Sequence, residues 1–91
     1  MDELEQIAAR FKMLGEPMRL RILQVVCRQP RTVTDIVAAT GSMQANVSKH
    51  LALLAAAGIL ERKRAGQRIF YGMKDQLAMK LCELVRAQIA E

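Results

Sequence analysis

Apolar residues recur through this chain at two different periods, and the switch between them marks out the elements. Leu4, Ile7, Ala8, Phe11 and Leu14 fall at helical spacing and predict a helix over residues 3–14, with one apolar stripe on a charged rod. Gly15 is placed to end it in a left-handed cap, and Pro17 suits the first turn of a following helix. That second helix, about 17–28, is apolar around much of its circumference (Leu20, Ile22, Leu23, Val25, Val26) and is expected to be the buried spine. Gln29-Pro30 closes it, and Arg31-Thr32-Val33 is a candidate short strand.

Val33 to Thr40 predicts a third helix facing inward through Val33, Ile36 and Val37. Gly41-Ser42 is a tight break. A fourth helix follows over residues 44–57, with Val47, Leu51 and Leu54 on its inner stripe and Ala45, Ser48, Lys49 and Ala52 opposite. The period then shortens towards two. Leu60 to Arg64 and Arg68 to Tyr71 predict a basic hairpin turned at Ala65-Gly66, with Ile69 and Tyr71 on one side and Arg68 and Phe70 on the other. Residues 75–90 return to helical spacing through Leu77, Leu81, Leu84, Val85 and Ile89. Helix, sharp turn, helix and basic hairpin form the plan of a winged helix-turn-helix, a mainly α fold with a small β-hairpin.

With 91 residues the chain makes a single domain, 1–91. Within it the helix-turn-helix spans 33–57 and the wing 60–73, while 3–14 and 75–90 are arms expected to build a homodimer. A chain so short is marginal alone, and two more apolar stripes than one small core needs favour a partner subunit. No apolar run approaches the length of about 20 residues that crosses a bilayer, so no membrane partner is expected. The acidic opening Met1–Glu5 lacks the pattern of an export leader, and two cysteines without one predict a reducing, cytoplasmic setting.

Charge sharpens the picture. The net +5 is unevenly spread: residues 1–16 carry two basic and four acidic side chains, 17–74 ten and two, and 75–91 two and three. The positive charge therefore lies in the helix-turn-helix and hairpin, which is the footprint of a polyanion-binding centre between two assembly arms. Two phenylalanines, one tyrosine and no tryptophan make a poor stacking platform for single strands, so double-stranded DNA is the expected polyanion.

The candidate DNA-binding residues follow from position. Ser42, Gln44, Ala45 and Asn46 open the fourth helix, where such helices meet base edges, and Ser48, Lys49 and His50 continue it. Arg62, Lys63, Arg64, Gln67 and Arg68 surround the hairpin turn and are expected at phosphates or the minor groove. A solvated face and a solubility-conferring charge run are the plainer readings of the same residues. His50 stands alone as a histidine, at the flank of the core stripe, and one histidine builds no zinc site. No phosphate-cradling glycine loop, nucleophile–histidine pair or convergent carboxylates occur, so neither catalysis nor a cofactor is expected. A protein-interaction module that never touches DNA remains the alternative from another class.

Two stretches carry a family resemblance. Leu14-Gly15-Glu16-Pro17-Met18-Arg19-Leu20-Arg21-Ile22-Leu23 and Val47-Ser48-Lys49-His50-Leu51-Ala52-Leu53-Leu54-Ala55-Ala56-Ala57-Gly58-Ile59-Leu60 resemble the helix entry and the recognition helix of the ArsR/SmtB repressors. Arg62 to Tyr71 is similar to the family wing. The resemblance implies a homodimeric winged-helix repressor on an imperfect inverted repeat, released by an inducer that the chain does not identify. The family's metal sites do not carry over. A Cys-Val-Cys-Asp-Leu run becomes Thr32-Val33-Thr34-Asp35-Ile36, whose hydroxyls ligate thiophilic metals poorly, and Asp75-Gln76-Leu77 lacks the histidine of the other site. Met43 stands where many members have a capping serine, which makes Ser42 the expected cap. Some members sense oxidants or reactive sulfur through a cysteine on each of two helices. Cys27 and Cys82 sit on the corresponding helices, one and two turns away from those positions, and form a candidate thiol sensor. Simple space-filling is the other reading of each thiol.

Overall fold

A computed structural model describes residues 1–90 as five helices and one hairpin: α1 Glu3–Leu14, α2 Pro17–Val26, α3 Val33–Thr40, α4 Gln44–Ala56, β1 Leu60–Ala65, β2 Arg68–Met73 and α5 Leu77–Ile89. Local chemistry explains where most of them begin. Asp2 Oδ1 accepts from Glu5 N at 2.7 Å to open α1, and Glu16 Oε2 accepts from Arg19 N at 2.9 Å to open α2, with Pro17 in its first turn. At α3 the capping is reciprocal: Asp35 N donates to Thr32 Oγ1 at 3.2 Å, and Thr32 N donates to Asp35 Oδ2 at 3.3 Å.

The core is built from the middle of the chain. Ile22, Leu23 and Val26 of α2, Ile36 of α3, Val47, Leu51 and Leu54 of α4 and Leu60 of β1 are fully buried together. Leu14 at the end of α1 and Ala78 at the start of α5 close the rim. Burying the three apolar side chains of α4 alone is worth about 5–9 kcal/mol before the entropy of ordering is subtracted.

β1 and β2 pair antiparallel from Leu60↔Met73 to Ala65↔Arg68, so Gly66-Gln67 form the turn and both strands run further than the sequence suggested. The expected strand at Arg31–Val33 is a single bridge: Arg31 N donates to Tyr71 O at 2.9 Å, and Tyr71 N to Arg31 O at 2.8 Å. Making it draws Pro30 against the hairpin. A Cβ on Gly72 would lie 3.1 Å from Pro30 Cγ, a tight contact that glycine avoids and that a larger residue would relieve only by shifting the proline ring a few tenths of an ångström. The same pairing ends α2 at Val26, two residues before the expected end.

Two further expectations are corrected. Gly15 is not left-handed; its φ is −85°, and its N–H donates to Lys12 O at 3.2 Å. Asp75 lies outside α5, which starts at Leu77 because the Asp75 carboxylate accepts from Leu77 N at 2.9 Å. No helix among the described residues is long and apolar enough to cross a membrane.

Candidate nucleic-acid interface

The turn between α3 and α4 sets the angle of the helix that matters most. Gly41 takes φ +70° while donating its N–H to Val37 O at 2.9 Å, a left-handed cap open to solvent on the side a Cβ would occupy. Backbone angle, not space, therefore asks for glycine here. Thr40 Oγ1 donates to Ile36 O at 2.8 Å and accepts from Ser42 N at 3.3 Å, which steadies the turn.

α4 is then held by its inner face and free on its outer one. Gln44, Ala45, Asn46, Ser48, Lys49 and Ala52 are exposed, and small residues among them let a groove wall come close. Ser42 does not cap the helix as expected. Its Oγ instead accepts from Asn46 Nδ2 at 2.9 Å, and Met43 at the capping position makes no side-chain hydrogen bond. The Asn46 carbonyl oxygen, an acceptor, is thereby the free end of its amide.

His50 parts company with the other candidates. It is 9% exposed, on the inner side of α4, with Nε2 3.8 Å from Glu16 Oε2 and Nδ1 buried without a partner. Its place at i+3 from Val47 and i−4 from Leu54 puts it on the core stripe. It cannot reach a groove from there, and its candidate role as a DNA contact is withdrawn. Glu16 is shared between the entrance of α2 and this histidine.

The hairpin keeps its cations in water. Arg62, Lys63, Arg64, Gln67 and Arg68 are all exposed, and strand alternation divides the charges between two faces. Arg62 and Arg64 share a face with Ile69 and Tyr71; Lys63 and Arg68 share the other with Phe70. The Arg68 guanidinium lies 5.4 Å from the centre of the Phe70 ring, as their shared side predicts. Lys63 Nζ meets Glu61 Oε1 at 3.3 Å, an exposed pair of little energetic weight. Asp35 is held below the usual carboxylate range, first by the Thr32 backbone N–H, then by the Thr32 hydroxyl, with Arg68 and Arg31 adding attraction.

On the far side, Phe11, Leu14, Leu20, Leu81, Val85 and Ile89 line an open apolar groove of about 540 Å³ between α1, α2 and α5. Cys82 lies on its wall. Cys27 is not part of that wall; it ends α2 with Sγ 3.2 Å from Gln24 O, and both thiols are free and half-buried. Among the described residues no three His, Cys, Asp or Glu side chains cluster to hold a metal.

Comparison with known proteins gives a consistent result. A profile described as "Bacterial regulatory protein, arsR family" matches residues 16–62. The chain is 30% identical over 91 residues to a transcriptional repressor SmtB homolog of Synechocystis, covering all of this chain and 69% of that one. It is 33% identical over 81 residues to a probable mercury resistance operon repressor of Streptomyces lividans, covering 89% of this chain and 65% of the other. Among solved structures, a homodimeric winged helix-turn-helix DNA-binding domain from Mycobacterium bovis superposes with a TM-score of 0.84 at 32% identity, over 97% of this chain and 82% of that one. NolR from Sinorhizobium fredii superposes equally well, with a TM-score of 0.84 at 26% identity over 91% of this chain and 83% of its own.

Proposed function

Because this chain belongs to the arsR family of bacterial regulatory proteins, with the winged helix-turn-helix fold of that family, we propose that it represses transcription as a homodimer on an imperfect inverted repeat. The observation that carries this reading is the outward face of α4 beside a hairpin tip bearing four solvated cations. Gln44 and Asn46 offer amide groups to base edges, while Ser48 and Lys49 reach the groove wall. Arg62, Lys63, Arg64 and Arg68 take neighbouring phosphates from both faces of the hairpin. Gln67 sits at the tip between them.

The apolar faces of α1 and α5 supply the second half of the reader. Joining two protomers there presents two α4 helices to half-sites about 34–36 Å apart. An inducer that changed the angle between protomers would release the operator, and about 1.4 kcal/mol of differential affinity already gives a tenfold change.

Replacing Arg64 and Arg68 by alanine is the direct test. Duplex affinity falls across all sequences, and the slope of log affinity against log salt drops by about one for each cation lost in each protomer. A slope identical to the parent's would instead favour a module that uses the hairpin to hold another protein.

A further inference from the structure

Four helices of this protein open beside a side chain that accepts one of their own backbone N–H groups: Asp2 for α1, Glu16 for α2, Thr32 for α3 and Asp75 for α5. α4 opens on Met43, which has no strong acceptor to offer, and the neighbouring Ser42 holds the Asn46 side chain instead of the helix backbone. A thioether at this position gives up the stability a hydroxyl or carboxylate would confer. It does not recover that loss by packing, since Met43 is 79% exposed. A side chain that neither caps nor packs breaks a local rule, and such breaks concentrate at functional positions.

The location of Met43 narrows what the function can be. It precedes Gln44, Ala45 and Asn46 at the leading end of the helix assigned above to the major groove, and all four residues are exposed. The major-groove edges of the base pairs carry hydrogen-bonding atoms and one distinctive apolar group, the C5-methyl of thymine. A methionine side chain is unbranched, polarisable and adaptable, which suits it to cover such a methyl. We infer that Met43 is a specificity-determining residue that packs on the C5-methyl of one thymine in each half-site. The inference rests on the groove-reading role of α4 proposed above. Removing one methyl from such a contact weakens binding about fourfold.

Deoxyuridine differs from thymidine by that methyl alone, which makes it the probe. A duplex is first selected by the intact protein from a random pool, and each thymine is then replaced in turn. One position per half-site loses about fourfold in affinity, and replacing both symmetric positions loses about fifteenfold. M43S no longer distinguishes the two bases and unfolds at a temperature no lower than the parent, because serine restores the missing cap. Met43→Leu keeps the discrimination. Equal binding of thymine and uracil at every position overturns the assignment, as does M43S retaining the full discrimination. If no duplex is enriched at all, the groove-reading role of α4 fails, and the Met43 assignment fails with it.

Discussion

The α2–α4 region and the two end helices are built from similar proportions of apolar residue but use them in opposite ways. Every fully buried large side chain belongs to α2, α3, α4 or β1, whereas α1 and α5 bury only Leu14 and Ala78 and lean Met13, Met79 and Leu81 half-buried against the core. Much of their remaining apolar surface is left in water: Phe11 is 57% exposed, Leu84 70% and Ile89 77%. The middle of the chain is therefore a finished object, and the ends are half of one. An apolar surface of that extent is unusual on a free-standing monomer and is ordinary on a protomer awaiting its copy.

Charging the end helices should separate the two halves most visibly. Leu84→Glu combined with Ile89→Glu leaves α2–α4 folded by circular dichroism and turns a dimer into a protomer in sedimentation. Operator affinity falls by about 100-fold or more, because the second half-site no longer benefits from being tethered to the first. A tight dimer persisting in that double variant would break the comparison.

Leu51→Ala strikes the finished half instead. It empties space at a fully buried position of α4 and costs about 2–5 kcal/mol in chemical denaturation. The loss appears whether or not the protein is assembled.

The smallest effect concerns Asp35, and pH exposes it. Its folded carboxyl is held below the ordinary value, so its contribution to stability is present at neutral pH and is lost as pH falls through the folded value. Asp35→Asn is thus less stable than the parent near neutral pH, and the two converge in denaturation midpoints once pH has fallen through the lowered folded value of the carboxyl. A gap that stays constant with pH would show that the carboxylate charge contributes nothing to the entrance of α3.

Sequence pattern alone was enough for the element order and for the core stripe of Val47, Leu51 and Leu54, because a helical period of apolar residues survives whatever surrounds it. The exposed hairpin cations were legible for the same reason: nothing nearby could neutralise so many. His50 falls at the flank of the core stripe, a position compatible with packing or with a phosphate contact, and only its burial to 9% exposure places it with Val47 and Leu54. The early end of α2 and the tight fit at Gly72 depend on Pro30 meeting a strand residue 42 positions away (72 − 30) in sequence, and no local pattern announces that contact. The failed cap by Ser42 is of a third kind. Its hydroxyl was available, and the competing Asn46 amide one helical turn ahead took it.

The bridge between Arg31 and Tyr71 divides the hairpin into two mechanical regimes. Near it, Gly72 against Pro30 and the paired amides fix the strands to the body of the protein, leaving no slack. Beyond it, each strand has only the other to hold it, and a lone two-stranded ribbon bends at small cost. The molecule thus carries Lys63, Arg64 and Arg68 on a lever pinned at the level of Arg62, which pairs with Tyr71, able to follow the curve of whatever it grips without disturbing the core behind the pin.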